Sequence, residues 1–173
     1  MDAVDYLGDN GILHRDLKDE NVIIDENFRI KLIDFGSVAF HQPGKRFNTF
    51  FGTIEYCSPE VLEGNKYEGP EIEAWSLGVL LFIIVFSENP FYNIEETIKC
   101  NVVLPYHVSA ECEALLRSIM ERDPAKRLTI KQIKENSWVQ MALDITQYCF
   151  EDVIQCCECP LSRLGFELLF SRE

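Results

Sequence analysis

The ten-residue run Leu77–Phe86, Leu-Gly-Val-Leu-Leu-Phe-Ile-Ile-Val-Phe, offers no polar face to water. It is well short of the ~20 apolar residues that cross a bilayer. A helix that is apolar all round has to be enclosed by protein, so this run is expected to be a buried core helix. Pro70, followed by Glu71 and Glu73, supplies its start. Proline fits the first helical turn, and acidic side chains suit the positive end of the helix dipole. One helix is therefore predicted from Pro70 through Trp75 into the apolar run. A chain of 173 residues is long enough for one domain around such a core and short for two.

The flanking pattern is mainly helical. Met1–Asn10 reads as the end of a helix, with Val4 and Leu7 three apart and Gly8 and Gly11 as stop signals. A short helix is predicted over 94–100. Another starts at Ser109, with Cys112, Leu115, Leu116 and Ile119 at helical spacing. Thr129-Ile130-Lys131-Gln132 forms a capping box that opens a further helix, with Ile130, Ile133 and Trp138 toward the core. Two β-branched runs, Val22–Ile24 and Arg29–Ile33, are separated by Asp25-Glu26-Asn27 and predict a hairpin. Residues 34–60 form a long irregular stretch. Loops of that length are usually functional, and its phenylalanines are expected to pack on something.

The chain carries 16 Lys and Arg against 29 Asp and Glu, a net charge of -13. That sign disfavours nucleic acid and anionic membrane surfaces and suits basic partners and metal ions. Asp2, Asp5 and Asp9 occupy the N-terminus in place of the basic start of a signal peptide. Seven cysteines, an odd number, then read as reduced thiols, and the expected location is cytoplasmic or nuclear. Cys149, Cys156, Cys157 and Cys159 lie close together, but not as two Cys-x₂₋₄-Cys pairs, so no zinc is expected there.

The chemistry is concentrated in His14-Arg15-Asp16-Leu17-Lys18-Asp19-Glu20-Asn21. Asp34-Phe35-Gly36 begins thirteen residues past Asn21, and Ser58-Pro59-Glu60 closes the following loop. In this order and at these distances the three motifs resemble the C-terminal lobe of a eukaryotic protein kinase, over roughly residues 1–150, with a cysteine-containing tail at 151–173. The resemblance implies a mainly α fold, the helical lobe with one short β-hairpin. Longer strings look most like the PAS-domain serine/threonine kinases. These are Gly52–Leu62, Gly69–Val79 and Glu88-Asn89-Pro90-Phe91.

That resemblance implies transfer of the ATP γ-phosphate to serine or threonine hydroxyls of proteins, with ATP and Mg²⁺ as cofactors. Phosphoryl transfer needs positioning and charge neutralisation more than covalent chemistry. Asp16 is implied as the base for the substrate hydroxyl and Lys18 as the clamp on the γ-phosphate. Thr53 would bond to both. Asn21 and Asp34 would supply hard oxygens to Mg²⁺. Ile23 and Ile33 match the floor of the adenine pocket, and Glu20 matches a position that often meets a substrate arginine. Thr49 matches the usual activation-loop phosphosite, where a phosphate would pair with Arg15.

Other matches are architectural. Glu60 and Arg127 match an ion pair joining the activation segment to the helical subdomain. Trp75 and Gly78 match the signature of the central helix. Glu73 stands where most kinases carry Asp to brace the catalytic loop, and PAS kinases share the Glu. Among the histidines only His14 has a role, packing beneath that loop. His41 and His107 read as loop residues.

No Gly-x-Gly-x-x-Gly occurs in the sequence, and thirteen residues before His14 hold neither a strand lysine nor its helix glutamate. The N-terminal lobe is therefore expected to be absent from this chain, which would be inactive alone and would expose apolar surface prone to self-association. The alternative is a non-catalytic module that binds substrates or partners through its helical face.

Overall fold

The computed structural model describes residues 1–151. The order is α1 (Asp2–Asp9), β1 (Ile12–Leu13), β2 (Val22–Ile24), β3 (Ile30–Leu32), β4 (Ala39–Phe40), α2 (Pro59–Leu62), α3 (Pro70–Phe86), α4 (Ile94–Lys99), α5 (Ala110–Ile119) and α6 (Ile130–Glu135). Short 3₁₀ turns at Asp19–Asn21, Phe35–Ser37, Ile54–Tyr56 and Ile145–Gln147 complete it. The architecture is mainly helical, as the sequence implies.

The apolar helix is the axis of the molecule. Trp75, Val79 and Phe82 of α3 pack in one core cluster with Leu116 of α5, and Ala74 of α3 packs in a second with Leu115 and Ile119 of α5 and Ile133 of α6. Asn93, Ser109 and Thr129 cap α4, α5 and α6 by accepting the N3 amide. The capping box at Thr129–Gln132 forms in full, and Ile133 is its fully buried residue. On the outer side Lys134 reaches Asp5 (2.7 Å) and Asp2 (3.0 Å), and Lys131 reaches Asp9 (2.9 Å). The Lys134–Asp5 pair is partly buried, whereas Asp2, Lys131 and Asp9 are exposed, so the outer pairs add little stability.

Helices α3 and α5 come close together at Gly78. A Cβ there would lie 2.6 Å from Ile119 Cγ2 and 3.0 Å from Met120 Cγ. Gly78→Ala is expected to cost ~1–3 kcal/mol by overpacking, read as a lower urea midpoint. An unchanged midpoint would mean that α5 shifts at no cost.

The hairpin pairs Val22 with Leu32, Ile23 with Lys31 and Ile24 with Ile30. Asp25 Oδ1 closes its turn by accepting the amides of Asn27 and Arg29, both at 2.9 Å. The hairpin lies at the surface. Ile23, Ile24 and Ile30 are exposed, as are Ile33 and Phe35 beyond it.

The stretch 34–60 is more ordered than the sequence suggests. Ala39 and Phe40 pair with Leu13 and Ile12, and Phe47 bridges to Tyr67. Two-residue strands carry no readable period, so only the tertiary pairing reveals them. His41, expected to be a plain loop residue, donates its amide to Gly11 O at 2.8 Å and so extends that pairing.

Candidate active site

The loop from His14 to Asn21 rests on α3. Glu73 points back from the first turn of that helix. Its two carboxylate oxygens accept the amides of His14 (3.1 Å) and Arg15 (2.7 Å). Arg15 itself has φ 64°, a left-handed conformation that needs outside support in a non-glycine residue. The carboxylate supplies that support to both amides. His14 is fully buried. Its Nε2 lies 3.0 Å from Ile33 O, and Asp16 N donates to its Nδ1 at 3.3 Å. The proton therefore sits on Nε2, and the ring ties the His14–Asn21 loop to the end of β3.

Asp16, Lys18 and Thr53 form one connected group. Thr53 Oγ1 donates to Asp16 Oδ1 at 2.9 Å and accepts from Lys18 Nζ at 3.0 Å. Lys18 Nζ also lies 3.5 Å from Asp16 Oδ2 and 2.9 Å from Glu20 Oε2. Its hydrogen bond to Glu20 holds the ammonium above its usual pKa. Glu20, matched in sequence to a substrate arginine, thus turns toward Lys18.

Thr53 reaches this group because Gly52 (φ 109°) lets the chain pass against the Arg15 carbonyl, where a Cβ would collide. Tyr56 closes the far side by donating to Asp19 Oδ1 at 2.8 Å. Burial, with Asp19 beside it, holds the Tyr56 phenol well above its usual value. The sequence reading did not single out Tyr56 or Asp19. Asp19 lies within the His14–Asn21 motif and Tyr56 within the Gly52–Leu62 string, but neither motif assigns them a role. Burial pushes the neighbouring Cys57 thiol up to about 12, so it is unreactive.

Asn21 is buried, and its side-chain nitrogen donates to Asp16 O (2.8 Å) and Asp16 Oδ2 (3.2 Å). That leaves Oδ1 as its acceptor. Ile33 N donates to Asn21 O at 2.9 Å, one step beyond the hairpin register. Asn21 and Asp34 are thereby held at the open end of one hairpin. Asp34 adopts φ 61°, and its Oδ1 accepts the Gly36 amide at 3.1 Å. An amide oxygen and a carboxylate on neighbouring strand ends suit a hard cation such as Mg²⁺. Phe35 sets its ring edge-on to His14, with centroids 5.1 Å apart. Ile23 and Ile33 lie on the exposed surface of the same hairpin region.

Thr49 and Arg15, matched in sequence to a phosphosite and its partner, both border Tyr67. Arg15 Nε donates to Ser37 O at 2.6 Å, and its guanidinium lies 4.3 Å from the centre of the Phe51 ring. Thr49 is exposed; its hydroxyl donates to Asn48 Oδ1 at 3.3 Å, and its carbonyl accepts from Tyr67 at 2.7 Å. The architectural pair meets directly. Arg127 holds both oxygens of Glu60, at 2.8 and 2.9 Å, and its guanidinium stacks 4.9 Å from the Trp75 ring. Of the cysteines weighed as zinc ligands, Cys149 is exposed beside Glu151. Positions 156, 157 and 159 lie outside the described residues.

Burial pushes the Glu73 carboxyl up from 4.5 to about 7, against the pull of the two amides. The native protein then binds a proton that the unfolded chain has released. The stability from that proton is complete below the unfolded value of 4.5 and is lost as pH rises to about 7. A shift of that size corresponds to ~3 kcal/mol. Glu73→Gln should remove this slope from the urea-midpoint curve. An identical slope in the variant would show that Glu73 stays ionised throughout.

Residues 1–139 match the family described as protein kinase domain. Three relatives are similar over most of the chain. The PAS domain-containing serine/threonine-protein kinase of Mus musculus is 49% identical over 153 residues, 88% of this chain and 11% of that protein. Serine/threonine-protein kinase PSK2 of Saccharomyces cerevisiae is 45% identical, over 80% of this chain and 13% of that protein. Serine/threonine-protein kinase SIK1 of Mus musculus is 42% identical, over 81% of this chain and 19% of that protein. The chain thus spans between about a tenth and a fifth of the length of these relatives. A family pattern covering residues 1–139, and serine/threonine kinases as relatives at this identity, establish that the chain belongs to the protein kinase domain family.

Proposed function

We propose that the chain supplies the catalytic loop and activation segment for transfer of the ATP γ-phosphoryl group to serine or threonine hydroxyls of proteins. The observation that carries this reading is the Asp16–Thr53–Lys18 group with Asn21 hydrogen-bonded to Asp16. Asp16 would orient the attacking hydroxyl and take its proton. Lys18 would hold the charge that develops on the transferred group, and Thr53 would keep the two apart at working distance. Asn21 and Asp34 would hold Mg²⁺, which when bound neutralises phosphate charge and orients the reacting group. Glu73 would act as a positioning residue, through the His14 and Arg15 amides.

The exposed Ile23, Ile24, Ile30 and Phe35 support completion of the site by a further layer of protein that carries the phosphate-covering loop and strand lysine. Substrates would be basic segments, in keeping with the net charge of -13.

The metal assignment is tested by Asp34→Asn in the complete polypeptide. Transfer from MgATP to a serine peptide should fall by about 10²-fold or more, and raising Mg²⁺ should recover part of it. Full activity at low Mg²⁺, or loss that no Mg²⁺ concentration touches, would remove Asp34 from the metal site. No helix among the described residues is long and apolar enough to cross a membrane.

A further inference from the structure

Beyond the end of α3 an open groove of about 480 Å³ runs between the turn at 88–92, α4 and the segment 101–105. Phe82, Tyr92, Val103 and Pro105 give it an apolar side, and Glu88 and Glu96 line it as well. Tyr92 is 77% exposed and Val103 66% exposed. Tyr92 is tied down. Tyr92 N donates to Glu96 Oε2 at 2.9 Å and its hydroxyl donates to Glu88 Oε2 at 3.1 Å. Asn93 fixes the other Glu96 oxygen at 2.9 Å. A ring held this way loses little conformational freedom when something packs on it.

The charge of the groove indicates what that is. Glu88 and Glu96 accept only neutral donors, and among the described residues no cation pairs with either. Lys99, the cation on the lining, lies 3.7 Å from Glu95 and is answered there. Glu88 also lines a second groove of about 410 Å³, shared with Asp19, Glu20 and Glu55, which leads to Thr53. Two unneutralised carboxylates beside an exposed tyrosine and valine complement a cationic segment that also carries large apolar side chains.

We propose that the Tyr92–Val103 groove docks a segment of a partner protein that alternates basic and large apolar residues. The apolar side chains pack on Tyr92 and Val103, and the basic ones answer Glu88 and Glu96. This docking requires neither nucleotide nor phosphoryl transfer, so it stands apart from the proposed reaction.

The test uses the chain itself and a fluorescein-labelled peptide alternating Arg and Leu, followed by anisotropy. The peptide should bind, and binding should weaken as salt rises from about 50 to about 300 mM. Tyr92→Ala and Val103→Asp should each weaken it about tenfold. Glu88→Gln should weaken it less and flatten the salt dependence. Lys131→Ala, on the α6 face away from the groove, should change nothing. Both groove side chains are exposed, and circular dichroism of each variant confirms that the fold is kept. Binding that the groove variants do not alter overturns the proposal. So does equal binding of a Glu/Leu peptide, or no binding by about 1 mM. Sedimentation showing that Val103→Asp abolishes self-association, with the peptide unable to compete, would assign the groove to a second copy and also overturn it.

Discussion

Asp16→Asn in the complete polypeptide is expected to lower phosphoryl transfer by about 10²- to 10⁴-fold, the range for loss of the general base proposed at this position. The substitution keeps the shape of the side chain. Its carbonyl oxygen can still accept from Thr53 Oγ1, now at 2.9 Å. The other oxygen becomes an amide nitrogen facing the Asn21 nitrogen that donates at 3.2 Å and Lys18 Nζ at 3.5 Å. Donor then meets donor and cation, so Asn21 and Lys18 should both give ground. Loss of the base and displacement of a proposed metal ligand act together. The loss should therefore fall mainly on kcat, with the urea midpoint close to wild type because Asp16 is not a core residue. A variant that retains more than about a tenth of the activity would remove Asp16 from the role of base.

Arg127→Met is expected to cost ~3–5 kcal/mol of folding stability. That is a large share of the ~5–15 kcal/mol that keeps a domain of this kind folded. Glu60 is 7% exposed and Arg127 4%, so the pair is out of reach of water. The guanidinium also donates to the carbonyls of Glu71 (2.8 Å) and Glu121 (3.0 Å). Removing it leaves a buried carboxylate and two carbonyls without their donor. Lysine cannot replace it, since one ammonium cannot match a two-pronged contact and stack on Trp75 as well. The double variant Glu60→Met with Arg127→Met should lose less than the sum of the two singles, because no uncompensated charge remains. Strict additivity in urea titrations would mean that the two side chains do not depend on each other.

These two sites differ in how they could be read. Asp16, Lys18, Asn21 and Asp34 enter as candidates through motifs whose order and spacing resemble a kinase, and the His14–Asn21 loop and the hairpin are short stretches whose backbone places these side chains locally. Burial of the α3 helix is legible only in part from its ten-residue apolar run: most of it is enclosed, but Ile84 is 64% exposed and Leu81 and Ile83 are half-buried. The Glu60–Arg127 and Glu73–loop contacts join residues 67 and 58–59 positions apart. They were reachable through resemblance to a family, and periodicity offers no route to them.

The sequence by itself determined the helical class, the central helix, the hairpin and the chemical inventory of the site, because each depends on local pattern. Only the tertiary structure decided the pairing of Ile12–Leu13 with Ala39–Phe40, the closure of Tyr56 onto Asp19, the engagement of Arg15 by Ser37 and Phe51, and the exposed Tyr92–Val103 groove. Each of these arises where segments distant in sequence are forced into contact around α3. Hydrogen bonds and ring contacts formed there follow from packing geometry, which residue identity and spacing do not specify.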